Sequence, residues 1–247
     1  MGTTRLTKQQ RKANARPRRV VQLVFFGLIL LIAINHALEE LGRAIPWLSS
    51  ASIHGICPFG GVVSIYQYAT AGTLVQKVHE ASFVLIVGVV TLSLLFGPVF
   101  CGWVCPLGSV QEWFSGVGRR LLGKRHNNLI PYRIDRWLRY LRYLVLAWVV
   151  YMTAATGTLV FEQWDPYFTM FNLWSDELAW TGVVVLALVL LLSLSVERPF
   201  CKYACPFGAL LGVTNLFRLF GIRRNSRTCI NCSRCDSSCP MNIPVSS

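Results

Sequence analysis

Charge is scarce in this 247-residue chain: Asp, Glu, Lys and Arg together make up 14% of it, while 53% is hydrophobic. Acid is scarcer than base, 11 residues against 24, which leaves a formal +13. Three further absences narrow the chemistry. The chain has no glycine loop of the kind that cradles phosphate, no Gly-x-Gly-x-x-Gly fingerprint and no plausible Ser-His-Asp set, so nucleotide and hydrolase functions have no support. Charge is missing altogether from four runs of 19 or 20 residues, 20–38, 81–100, 143–161 and 178–196. Each is long enough to cross a hydrocarbon core about 30 Å thick, and that excludes an ordinary soluble domain. The expected fold class is an all-α integral membrane protein with four transmembrane helices. The first run follows a basic leader, 1–19, yet offers no small-residue cleavage site, so it reads as a retained helix.

Lys and Arg resist translocation, whereas acidic residues matter little to orientation. Residues 1–19 hold seven of the 24 cations, 101–142 hold eight and the segment from Glu197 onward holds seven, leaving only Arg43 and Lys77 elsewhere. The basic segments therefore face the cytoplasm, and the expected location is the inner membrane, multi-pass, with both termini cytoplasmic. The outer face receives the loop 39–80 and the acidic loop 162–177. Orientation and anionic headgroups account for the basic surface, so membrane lipid is an expected partner and nucleic acid is not. Residues 44–76 are also uncharged. A fifth span there would put eight cations outside, so a re-entrant or interfacial segment near 57–76 is expected, opened by the Cys-Pro-Phe-Gly-Gly turn at 57–61.

The chain repeats itself at an offset of 100 residues. GPVFCGWVCPLGSVQEWF at 97–114 corresponds to ERPFCKYACPFGALLGVT at 197–214, so that Cys101 matches Cys201 and Cys105 matches Cys205. Both motifs begin where the second and fourth spans reach the cytoplasmic face, which points to two repeated helix pairs whose cysteines arrive at one depth. A helix lying in the interface is expected after each, over 107–122 and 207–222. One cysteine in a membrane helix is only a small apolar residue; two pairs with matched spacing and a following proline point to a ligand set.

A third group, Cys229-x2-Cys232-x2-Cys235-x3-Cys239 followed by Pro240, has the bacterial ferredoxin spacing, in which thiolates on a tight loop grip a [4Fe-4S] cubane. Zinc ribbons use two separated pairs instead, and structural disulfides are disfavoured on the reducing side of the membrane. The expected organisation is a leader at 1–19, a four-helix membrane domain at 20–222 and a small ferredoxin-like tail at 223–247. Two partitions of the eight cytoplasmic cysteines stay open. In one, two cubanes exchange ligands: Cys229, Cys232 and Cys235 join one membrane-edge cysteine, and Cys239 joins the other three. In the second, one cubane is held by the run alone, leaving Cys101, Cys105, Cys201 and Cys205 as redox thiols or a Cu(I) site. Arg198, Lys202, Arg223, Arg224, Arg227 and Arg234 are placed to offset cluster charge.

On FCGWVCPLG at 100–108, FCKYACPFG at 200–208, CINCSRCDSSCP at 229–240 and HGICPFGG at 54–61, the chain resembles the NapH/MauN ferredoxin-type membrane proteins, and more loosely the membrane portions of NosR and CcoG. The resemblance implies electron transfer between quinol in the membrane and a redox partner subunit, in either direction. NapH-type members commonly carry two four-cysteine runs where this chain carries one.

A quinol site would need proton acceptors. His36, near the outer end of the first span, and His79 with Glu80, at the start of the second, are candidates. They would lie most of a bilayer from the inner cysteines, about 30 Å, too far for one efficient hop. His54 and Cys57 form a further candidate metal or quinone site in the outer loop, and their competing reading is a buried thiol beside a Gly-Gly turn. Asp165-Pro166-Tyr167 reads as a turn, His126 as solvated surface, and the tryptophans, Trp103 included, as interfacial anchors. Against the electron-transfer subunit stand a cupric reductase or copper-handling assembly factor using the paired motifs, a thiol–disulfide enzyme, and a structural anchor for another redox subunit.

Overall fold

A computed structural model describes residues 8–40, 80–123, 126–127, 129–156, 160–173 and 179–220. Among them the regular structure is helical, with no strand. Helix α1 spans Lys8–Glu40, α2 Glu80–Phe96, α3 Val99–Trp103, α4 Pro106–Leu122, α5 Tyr132–Leu138 and α6 Leu141–Thr156. A 3-10 turn at Val160–Trp164 leads to α7, Pro166–Phe171; then come α8, Trp180–Ser193, α9, Pro199–Tyr203, α10, Pro206–Thr214, and a last 3-10 turn, Asn215–Phe217. The segment near 57–76, His54, Cys57, His79 and the tail with Cys229, Cys232, Cys235 and Cys239 lie outside the described residues, as do the side chains of His36 and Glu80.

Each apolar run contains a helix, with boundaries set by local chemistry. The first lies inside α1, which continues the helix back through most of the basic leader. The second stops at Phe96 because Gly97 takes a left-handed φ of +83° and Pro98 follows. The fourth is reduced to the 14 residues of α8. Within α1, residues Arg16–Asn35 are long and apolar enough to cross a membrane; α2 and α8 are apolar but shorter, about 25 and 21 Å at 1.5 Å per residue.

The exposure pattern is inverted relative to a protein folded in water. Gln22, Asn35, Ser93, Thr153 and Ser193 are buried, while Val24 of α1, Val84 of α2 and Leu191 of α8 stay 59 to 77% exposed. The main core joins Ile86 and Val89 of α2, Val149 of α6, Leu186 and Val189 of α8, and Phe207 and Leu211 of α10. A second cluster packs Ile29, Ile32 and Ala33 of α1 on Phe171 of α7. Helix α4 crosses the end of α8 so closely that a Cβ on Gly118 would stand 1.9 Å from the Leu194 carbonyl oxygen.

Two readings need correction. His126, expected as solvated surface, is buried at 8% exposure and hydrogen-bonds Ser115 of α4 at 3.1 Å. The connection folds back over the end of α8, where the Asn127 N–H donates to the Ser195 carbonyl. The helix expected over 207–222 ends at Thr214. After the last 3-10 turn the backbone leaves to cap α2 instead, with the Leu219 and Phe220 N–H groups donating to the Leu94 and Leu95 carbonyls and Phe220 stacked on Phe96.

Candidate metal centre

The two cysteine motifs adopt the same local structure, and the sequence dictates why. Pro at the first helical position suits a helix start and forces the residue before it into an extended conformation. Cys105 and Cys205 are those preceding residues, with ψ of 116° and 113°, and each caps the helix that its proline begins. The glycine two residues after that proline is needed for space: a Cβ on Gly108 would lie 2.9 Å from the Cys101 carbonyl oxygen, and one on Gly208 would lie 3.3 Å from that of Cys201. The Gly208 N–H donates to Cys205 Sγ at 3.3 Å. Cys101 and Cys201 sit on the five-residue helices α3 and α9.

All four thiols line one cavity of about 600 Å³, walled by Phe100, Phe200 and Phe207 among other apolar residues. Burial is the main force on them. It pushes the Cys105 thiol up to about 12, with a further push from the charge of Cys201, and raises Cys101, Cys201 and Cys205 as well. Arg198 pulls Cys101, Cys105 and Cys201 the other way. Buried thiols held above their ordinary value have to lose their protons to a strongly electropositive partner before they ligate.

Five cations line the same cavity: Arg18, Arg139, Arg142, Arg198 and Lys202. Arg198 caps α9 in a left-handed conformation, φ +52°, uncommon for a side chain of its size. Its guanidinium secures that geometry by donating to the Cys101 carbonyl at 2.7 Å and to the Glu112 carboxylate, which also accepts from Arg18 at 2.6 Å and Gln22 at 3.1 Å. Burial raises the Glu112 carboxyl, but Arg198 and Arg18 outweigh it and hold the group below its ordinary value. Gln111 completes the brace by accepting from the Phe200 N–H and reaching Cys201 Sγ at 3.7 Å. On the other flank, Lys202 is 2.6 Å from the buried Asp135 carboxylate, which also accepts from Arg139 and Tyr203.

Cys101, Cys105, Cys201 and Cys205 thus line one cavity, and Arg198 and Lys202 line it too. The sequence reading missed Gln111, Glu112 and Asp135. A signal existed, since Glu112 and Asp135 are the only two acids among the eight cations of 101–142. It also missed the reach of Asp165 and Tyr167. Asp165 caps α7, its side chain accepting from the Tyr167 N–H at 2.9 Å, as a turn should. Both residues also line the cysteine cavity, although they precede α8 and Cys201 follows it.

An iron–sulfur cluster is implied by the thiol ligands, and the surroundings fit one. Arg198 Nε and Arg142 Nε are buried with no hydrogen-bond partner among the described residues, and both side chains line the cavity. Buried guanidinium N–H groups call for an acceptor, which an anionic cluster supplies. A cubane takes four thiolate ligands, the number that the two motifs bring to this cavity.

Comparison with known proteins gives the same chemistry. Residues 78–125 and 178–225, which contain the two motifs, match a family model described as a 4Fe-4S binding domain. YccM of Escherichia coli is 28% identical over 239 residues, covering 92% of this chain and 66% of that protein. The methylamine utilization ferredoxin-type protein MauN of Methylobacillus flagellatus is 30% identical over 229 residues, covering 90% of this chain and 74% of its own length. The ferredoxin-type protein NapH of Escherichia coli is 29% identical over 167 residues, covering 66% and 55%. No solved structure matches the chain.

Proposed function

The chain belongs to the family of NapH/MauN-type ferredoxin-like 4Fe-4S proteins, and we propose that it is a membrane electron-transfer subunit whose cysteines hold [4Fe-4S] clusters and pass electrons between the quinone pool and a redox partner. The observation that carries this reading is the convergence of Cys101, Cys105, Cys201 and Cys205 on one buried, cation-lined cavity. When bound, a cubane supplies a one-electron centre, and the protein contributes burial, cations and ligand geometry. The ferredoxin spacing of Cys229, Cys232, Cys235 and Cys239 provides ligands for a further cluster.

A membrane location is supported by the inverted surface, with apolar side chains outward and Gln22, Asn35 and Ser193 inward. The quinone step is supported by the position of Asp165 and Tyr167. The distance expected between His36, His79 and Glu80 and the inner cysteines is avoided if the quinone headgroup binds in the apolar part of the cavity, which Asp165 and Tyr167 also line. Asp165 then takes the proton that His36 or His79 was expected to take.

The test is iron and acid-labile sulfide content with EPR on anaerobically purified chain. About four to eight irons per chain and a signal on reduction are expected; metal-free, EPR-silent protein overturns the reading. Addition of a soluble quinol analogue should then reduce the cluster. If only dithionite reduces it, the quinone step falls while the iron–sulfur assignment stands.

A further inference from the structure

We infer that Asn215 and Arg142 hold the headgroup hydroxyl of a quinol, the Asn215 side-chain oxygen accepting from that hydroxyl and the Arg142 guanidinium donating to it. The site thereby prefers the hydroxyl-bearing, reduced form of the carrier to the carbonyl-bearing one. This rests on the quinone step of the reading above and names the residues that discriminate its substrate.

The two repeats match at their cysteines and differ in the helix that follows. In the first, the polar side chains are used by the protein itself: Gln111 accepts from the Phe200 N–H, Glu112 binds Arg18 and Arg198, and Ser115 bonds His126 at 3.1 Å. In the second, at the 100-residue offset, the corresponding residues are Leu211, Gly212 and Asn215. Asn215 Oδ1 is buried with no hydrogen-bond partner among the described residues, and Asn215 lines the cavity. A buried amide oxygen left unpaired is costly, so it calls for a donor. An anionic cluster cannot be that donor, because its sulfurs only accept.

Gly212 supplies the other half of the site. A Cβ there would stand 3.1 Å from Arg142 Nη2 and 3.0 Å from the Tyr143 hydroxyl, so the guanidinium lies over the glycine at the position where the first repeat carries its acid. Arg142 Nη2 donates to the Tyr143 hydroxyl at 2.9 Å, and Arg142 Nε is buried with no partner among the described residues. Gly212 and Asn215 are three residues apart, the spacing of neighbours on one helix face, and the Asn215 oxygen lies against Gly97 at the end of α2. A ligand oxygen held by both side chains meets N–H donors from Arg142 and an acceptor from Asn215. A hydroxyl donates and accepts at once and satisfies both; a quinone carbonyl would leave Asn215 unpaired.

The walls choose the rest of the ligand. Phe96, Phe100, Phe161 and Phe207 line the cavity, a setting for a flat apolar ring. Its volume of about 600 Å³ is that of a small-molecule site. Phe96 is also 57% exposed and stacked on the exposed Phe220, so the cavity edge reaches the apolar outer surface, from which a lipid-soluble carrier can enter. Neither an amide nor a guanidinium is a base, so the pair orients the headgroup and takes no proton.

The test is calorimetric titration of the whole chain, purified anaerobically and reduced with dithionite so that nothing turns over. The probes are duroquinol and its dimethyl ether, which keeps the ring and both oxygens but has no hydroxyl. Unaltered protein should bind duroquinol about tenfold more tightly than the ether, or better. Asn215→Leu should weaken duroquinol to the level of the ether and leave the ether unchanged, while Arg142→Met should weaken both, with iron content and thermal unfolding as in the unaltered protein. Equal binding of the two probes by unaltered protein overturns the inference without any variant. So does an iron-replete Asn215→Leu protein that binds duroquinol as before, which would leave the acceptor to water. Binding of phosphatidylglycerol that depends on Asn215, without binding of duroquinol, would assign the acceptor to a lipid hydroxyl and overturn it too. If iron-replete unaltered protein binds neither probe, the quinone step itself falls and takes the inference with it, whereas iron-free protein would defeat the iron–sulfur reading.

Discussion

Lys202 and Arg198, two fully or nearly buried cations flanking Cys201, do different work. Lys202 is half of a buried ion pair whose carboxylate, Asp135, also holds Arg139 and Tyr203. Breaking a buried pair from one side leaves an uncompensated charge, so Lys202→Met should cost about 3 kcal/mol, while the double replacement Lys202→Met with Asp135→Leu should cost less than the two single losses combined. Unfolding in detergent measures both. Burial raises the Asp135 carboxyl, but Lys202, Tyr203 and Arg139 hold it below its ordinary range. A carboxyl lower in the folded than in the unfolded chain stabilises fully above the unfolded value, about 4, and loses that contribution as pH falls through the folded one. Stability should therefore be flat from pH 7 toward 5 and drop below about 4, with Asp135→Asn flattening part of that drop. Arg198 acts on the cluster instead. Removing a buried positive charge beside the cluster favours its oxidised state, so Arg198→Gln should lower the midpoint potential by some tens of millivolts and Arg198→Lys by less, read by EPR-monitored redox titration.

At the level of elements, α4 is fixed by one close crossing and one loose face, and two of its glycines separate them. A Cβ on Gly118 meets the Leu194 carbonyl, whereas one on Gly116 meets nothing within 4 Å. Gly118→Ala should therefore destabilise by about 2 to 3 kcal/mol, since backbone must move, while Gly116→Ala should stabilise by about 0.5 to 1 kcal/mol through helix propensity alone. Opposite shifts in thermal unfolding are the expected result; equal shifts would mean the crossing is not tight. The helices themselves were readable, because an uncharged run satisfies its backbone internally whatever surrounds it. Their ends were less so. Gly97-Pro98 is a stop visible in the sequence, but the end of α10 is set by Leu219 and Phe220 pairing with the last turn of α2, a contact between residues more than 120 apart in the chain.

At the scale of the whole molecule, the proposed topology places 22 of the 24 cations in segments on one face. A phosphatase reporter fused after residue 175 should be active in the periplasm and one fused after residue 130 inactive; the reverse pattern would put the cysteine motifs outside. Sequence by itself determined the apolar runs, the duplicated motif, the soft ligands and the extended Cys-Pro geometry, because sterics and solvation act on neighbours and leave their mark at fixed spacing. Only the tertiary structure decided that the four thiols share a cavity, that Glu112 and Asp135 anchor its cations, that His126 is covered, and that Asp165 and Tyr167 reach the cysteines from the far end of α8. Each of those depends on distant segments meeting, and such meetings are chosen by the packing of whole helices, which no local spacing records.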